Sequence, residues 1–173
     1  DGVKDDQPIV RVSEPQVYVR QEASGMLVGG YGYRPLSFDM DDFDEDFEIP
    51  SLEPDQIYFE QLREAATEFF PSLADAIVVQ ERRGLPTMSA DAQLIVSPSP
   101  QVPQLIIASA CCVGGINASP GTGRIVADIV QGNPTWDPAK NITVDRFDGQ
   151  FPSETALRSA CETAYAKMYL GSI

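Results

Sequence analysis

Residues 105–130 restrict the fold more than any other part of this chain. They read Leu-Ile-Ile-Ala-Ser-Ala-Cys-Cys-Val-Gly-Gly-Ile-Asn-Ala-Ser-Pro-Gly-Thr-Gly-Arg-Ile-Val-Ala-Asp-Ile-Val. The apolar run Leu105–Ala108 has the length and composition of a buried strand. A glycine-bearing turn follows, and then a helix is expected with Ser119 as its cap and Pro120 at its first position. Gly132-Asn133-Pro134 is a stop signal for that helix. A strand that feeds a bare turn into a helix N-terminus aims backbone N–H groups at an electron-rich ligand.

The rest of the chain supplies strands and helices in separate runs. Pro8–Ser13 and Gln16–Arg20 alternate apolar residues at Val10, Val12, Val17 and Val19, and Met26–Val28 is a third short apolar run. Close spacing suggests an antiparallel meander. Pro54–Phe70 is amphipathic, with Ile57, Tyr58, Leu62, Ala65, Ala66 and Phe69 on one face and Pro71 as its end. Ala76–Gln80 reads as a strand, Gly84–Asp91 as a loop, and Leu94–Val96 with Leu105–Ala108 as a hairpin-like unit. A looser tail runs from Trp136 to Phe151. A last helix is expected from Ser153 to Tyr169, with Leu157, Cys161, Ala164, Tyr165 and Met168 on one stripe. The fold class is therefore α+β, with an antiparallel or mixed sheet and packed helices. Expected boundaries are 1–104, 105–132 and 133–173.

Composition removes several functions. The 173 residues carry a net charge of −14, which disfavours nucleic acid as a partner, since phosphate binding needs basic patches. No apolar run reaches membrane-spanning length, and no signal peptide opens the sequence. Asp1–Asp6 reads as an arbitrary start or a cut, frayed end. Three irregularly spaced cysteines, Cys111, Cys112 and Cys161, argue against a disulfide framework and for a reducing, cytoplasmic setting. A two-cysteine cluster without histidine leaves too few soft ligands for a zinc site to be expected, and a Ser–His–Asp or Cys–His arrangement cannot be assembled within this chain. No Asp or Glu is read in an apolar context that would raise its pKa, which weakens a hydrolase reading. The seven carboxylates between Asp39 and Glu48, interleaved with Met40, Phe43 and Phe47, lack the glycine and glutamate spacing of a calcium loop and read as a solvated acidic loop.

Two clusters could carry chemistry. In Gly29-Gly30-Tyr31-Gly32-Tyr33-Arg34-Pro35, glycines keep the backbone bare beside two phenols and a guanidinium. Arginine offers a planar fork to a carboxylate, and tyrosine offers an O–H on a flat apolar ring. That set suits a small amino acid; a packed strand end with a solvated arginine is the plainer alternative. The Cys111–Cys112 pair is either two small buried side chains or a direct ligand contact.

In Val17–Tyr31 and Tyr33-Arg34-Pro35 the chain resembles the substrate domain of the dimethylglycine and sarcosine oxidases and dehydrogenases, within the D-amino-acid-oxidase-like FAD-dependent oxidoreductases. Phe70–Asp75, Arg83–Asp91, Ala110–Ile116, Ser119–Gly123, Asp145-Arg146-Phe147 and Leu157–Tyr165 follow in that group's order. The resemblance implies the substrate-binding and flavin-capping part of a glutathione-reductase-2-type flavoprotein. It implies FAD as cofactor, with Gly114, Gly115 and Ile116 along the flavin ring, and Cys111 and Cys112 close to it. Met88, Ser89 and Asp91 would lie in a loop near the cofactor. It places Tyr31 in the amine pocket as the catalytic candidate, flanked by Tyr33 and Arg34 as substrate-binding residues.

The sequence departs from that pattern at three points. The glycine-rich dinucleotide fingerprint of a Rossmann half is not found, so a Rossmann-type FAD-binding half or subunit is the expected partner. Ala90-Asp91-Ala92 stands where Pro-Asp-Gly is common, and cysteines precede the glycine pair in place of glycine or histidine. The expected function is the substrate-binding and flavin-capping portion of an amine oxidoreductase acting on N-methylated or secondary amino acids by hydride transfer to flavin. The isolated chain is expected to be inactive. A non-catalytic binding or scaffolding subunit that keeps this fold is the alternative.

Overall fold

A computed structural model describes residues 3–4, 6–30, 35–134 and 136–168. Tyr31, Tyr33 and Arg34 lie outside these. The chain divides into two compact units, Asp1–Gly84 with Ala166–Ile173, and Leu85–Tyr165.

In the first unit β1 (Val10–Val12), β2 (Val17–Glu22) and β3 (Gly25–Gly30) form the expected antiparallel meander, in the order β1-β2-β3. The period-2 pattern sets its register, Val12 opposite Val17 and Val19 opposite Val28. Helix α1 (Gln56–Phe69) opens on Asp55, whose carboxylate accepts the Tyr58 amide at 3.0 Å. Its Leu62 and Ala66 pack on Val17 and Val19, with Met26, Val28, Tyr58 and Phe70 around them. The apolar face is narrower than its residue types suggest, since Ile57 and Phe69 are exposed.

Two expectations fail here. Ala76–Gln80 is not a strand: among the described residues no segment pairs with it, and Ile77 and Val79 are 88% and 94% exposed. Apolar composition cannot make a strand without a neighbouring edge. Nor are Gly29 and Gly30 bare. A Cβ at Gly29 would run into the Tyr18 ring, which lies opposite it in the ladder. One at Gly30 would meet Leu62 Cδ1 at 2.6 Å and the Gln16 carbonyl at 2.9 Å. These glycines make room for protein side chains. In the acidic loop Phe43 stacks between Phe38 and Phe47, with centroids 5.3 and 3.8 Å away.

In the second unit β4 (Ile95–Pro98) and β5 (Ile106–Ser109) form the expected hairpin, antiparallel with Ser97 opposite Ile107. Helix α2 runs from Gly115 to Gln131 and buries Ile125 with Val96 and Ala139. It starts before Ser119, so Ser119 is not its cap and Pro120 lies inside it. Its end is as expected: Gly132 adopts φ +67°, its amide reaches Ile129 O, and the Asn133 amide reaches Asp128 O at 2.9 Å. Asp128 is buried with its carboxylate bonded by polar side chains, Asn133 Nδ2 lying 3.4 Å from Oδ1. Arg124 Nε donates to its Oδ2 at 2.9 Å. The tail is built of 3-10 turns, Asp137–Asn141 and Val144–Phe147, and Ile142 O accepts the Val96 amide at 2.8 Å. Helix α3 (Glu154–Lys167) is capped by Ser153, whose hydroxyl accepts the Ala156 amide. Its stripe is only half-buried, with Leu157 exposed.

Candidate flavin-facing turn

Strand β5 ends at Ser109 and α2 begins at Gly115, so five residues must reverse the chain. They do so in a costly way. Ala110, Cys112 and Val113 adopt φ of +53°, +44° and +64°, in the left-handed region that side chains avoid. For β-branched Val113 this is a pronounced outlier, and such conformations cost about 1–3 kcal/mol each. The two glycines do not carry the reversal: Gly114 has φ −92° and Gly115 is already helical. Gly115 packs close to Cys111: a Cβ there would stand 3.2 Å from Cys111 Cβ and 3.3 Å from its Sγ, so that side chain would have to give by a few tenths of an ångström.

The turn leaves the helix start open. No side chain caps α2 at Gly114, and the amides of Gly115, Ile116 and Asn117 have no acceptor within the helix. The partial positive charge of a helix N-terminus gathers there. Ile116 is 91% exposed and Cys111 is exposed, whereas Cys112 is buried. A cleft of about 320 Å³ adjoins, lined by Leu94, Ala108, Cys111, Gly115, Ser119 and Gly123 among others. Small side chains and unpaired amides fit the face and pyrimidine edge of a flavin ring.

The loop before β4 supports the turn. The Cys112 amide donates to Thr87 O at 3.2 Å, and the Ser89 hydroxyl lies 3.6 Å from Cys112 Sγ. Met88, half-buried, is thereby brought beside the turn; its carbonyl is 3.9 Å from Cys161 Sγ. Burial raises the Cys161 thiol pKa, with the nearby Cys112, Asp91 and Glu162 adding to the effect. Buried Ser89 also approaches Gln93 O at 2.6 Å and Asp91 Oδ1 at 3.0 Å. Ala92 takes φ +56°, so the turn closes without the usual glycine.

One feature of the site was not foreseen. Arg146 meets Asp91 through two parallel bonds, Nε to Oδ2 at 2.8 Å and Nη2 to Oδ1 at 2.9 Å. Hydrogen bonding from Arg146 is the main reason that the Asp91 carboxyl is held down at about 2. Partial burial opposes it, and the Gln93 amide and Ser89 hydroxyl assist. Both residues stand in motifs noted in the sequence, but nothing in their spacing pairs them. Among the described residues no group of three acidic or cysteine side chains is placed to hold a metal, and no helix is long and apolar enough to cross a membrane.

The second unit thus presents an uncapped helix start behind a strained strand–helix turn, in an α+β chain. Residues 2–129 match the DAO family model, FAD dependent oxidoreductase, and the chain belongs to that family. FAD is the family's cofactor. The chain is also 26% identical over 175 residues to a 4-methylaminobutanoate oxidase (formaldehyde-forming) of Paenarthrobacter nicotinovorans, an alignment covering 98% of this chain and 20% of that protein. The chain thus spans about a fifth of that relative's length. No solved structure matches it.

Proposed function

We propose that these residues form the substrate-binding and flavin-covering part of an amine oxidoreductase of the glutathione-reductase-2 type, acting on N-methylated or secondary amino acids. The observation that supports this best is the open N-terminus of α2 beside the 110–114 turn, inside the segment matched to the family. Bound FAD would accept a hydride from the C–H next to the amine nitrogen, leaving an imine for water to hydrolyse. The chain's own part is to bind and orient. The amides of Gly115 and Ile116 would stabilise negative charge on the reduced ring, with Gly114, Cys111, Cys112 and the Met88 loop as its wall. Tyr31 would hold the amine, with Tyr33 beside it and Arg34 pairing with the carboxylate. The name of the relative, an oxidase of a methylamino acid, agrees with that substrate class. The nucleotide half would come from a Rossmann-type partner segment or subunit, and the free thiols suit a cytoplasmic setting.

The test is anaerobic addition of N-methylated amino acids to the protein assembled with its nucleotide-binding half. Bleaching of the oxidised-flavin band is expected, with formaldehyde released from N-methyl substrates after turnover. An assembly that carries no flavin would favour the non-catalytic scaffolding role.

A further inference from the structure

We propose that Arg146 and Asp91 are positioning residues for the flavin-facing turn. Their paired contact, relayed through Ser89 to Cys112, holds residues 110–114 on the path from which the first amides of α2 point outward. The inference rests on the flavin reading of that turn, and neither residue is assigned contact with the ligand.

Three non-glycine residues at positive φ persist only where their surroundings over-determine them. The ion pair is built to do that. Arg146 is committed on all sides: beyond the two bonds to Asp91, its Nη2 donates to Gln93 O at 3.1 Å and its Nη1 to Thr143 O at 2.9 Å. Its Cζ lies 4.2 Å from the Phe147 ring centroid, and its side chain is only 13% exposed. A planar fork engaged at every edge has one orientation, which a lysine cannot reproduce. Asp91 passes that orientation on. Its Oδ1 accepts the Gln93 amide at 3.1 Å and faces the Ser89 hydroxyl, and Ser89 in turn faces Cys112 Sγ. The contact bridges 55 residues of sequence, so the tail after α2 and the loop before β4 are fastened together beneath the turn.

Hydrogen exchange on the flavin-free chain tests the lock directly. In Arg146→Lys and Asp91→Asn the amides of Cys112 and Gly114 should exchange about tenfold faster or more, while those of Val96 and Ile125 keep their wild-type rates. Ser89→Ala keeps the ion pair and removes only the relay, so it gives the same reading if the charge variants fail to fold. An equal rise throughout the unit would show a merely structural pair, and unchanged rates at the turn would show no lock; either overturns the proposal. In the flavin-loaded protein, sulfite binding, which places negative charge on the ring, should weaken about tenfold at unchanged flavin content. A flavin-loaded Ser89→Ala protein with wild-type sulfite affinity also overturns it. If the wild type assembled with its nucleotide-binding half takes up no flavin, the functional reading fails, and the exchange rates still decide whether the pair sets the turn.

Discussion

The Ser119 hydroxyl donates to the carbonyl oxygen of Ile116 across 2.9 Å, within the second turn of α2. That carbonyl is the one that residue 120 would satisfy in a regular helix, and residue 120 is proline, which has no N–H. Ser119 therefore supplies the donor that Pro120 lacks.

A double-mutant cycle isolates this relationship. Ser119→Ala should cost about 0.5–1 kcal/mol, the net worth of one exposed hydrogen bond. Pro120→Ala restores the amide and should raise the melting temperature. In the Pro120→Ala background the Ser119→Ala cost should vanish. An unchanged cost there would mean that the hydroxyl acts elsewhere.

The ion pair between Asp91 and Arg146 predicts an acid-side loss of stability. The folded pKa of Asp91 is about 2, below its ordinary 3.8. A depressed carboxyl stabilises the fold fully above the unfolded value and loses that contribution as pH falls through the folded one. With the Asp91 side chain 40% exposed, solvent screening limits the contribution to about 1 kcal/mol. The melting-temperature gap between wild type and Asp91→Asn should be level at neutral pH, shrink below about pH 4 and close towards about pH 2. A gap that persists at pH 2 contradicts the assignment.

Glycine substitutions should separate packing from ligand access in β3. Gly30→Ala forces a Cβ against the Gln16 carbonyl, which is backbone and cannot swing aside, and should cost about 1–3 kcal/mol in urea unfolding. Gly29→Ala displaces only the Tyr18 ring and should cost less; Tyr18→Ala should offset it. Equal costs at the two positions would show that the Tyr18 ring is as immovable as the backbone.

The proposed amine pocket is tested by Tyr31→Phe. In the assembled flavoprotein, loss of a hydroxyl that orients the substrate should lower kcat/KM about ten- to hundredfold, or about 1–3 kcal/mol, at unchanged flavin content. Arg34→Ala should act mainly through KM. Wild-type kinetics in Tyr31→Phe would remove it from the site.

The 173-residue chain alone should bind FAD weakly. On the proposed reading it supplies a wall for the ring, and its sequence carries no glycine-rich fingerprint for the pyrophosphate, which anchors a dinucleotide. Quenching of flavin fluorescence measures this, and tight binding by the chain alone would show that the ring contacts suffice.

Much of the fold was legible because its signals are local. Alternation at Val17 and Val19 marks a half-buried strand, Ser153 is a side-chain cap, and Gly132-Asn133-Pro134 ends a helix through one left-handed residue. That a turn follows the strand at 105–108 was likewise legible, but the helix after it begins at Gly115 and not at Ser119. What the sequence did not disclose depends on neighbours. Ala76–Gln80 has strand composition and no partner edge. Gly29 and Gly30 give way to Tyr18 and Leu62, and Ser119 answers Pro120 within the helix it was expected to cap. Asp91 and Arg146, in motifs 55 residues apart, meet only because the tail folds back along β4. Local chemistry set the turns, the caps and the family, since each is written in adjacent side chains. Tertiary packing decided which residues share a wall, because a contact between distant segments has no signature in either one.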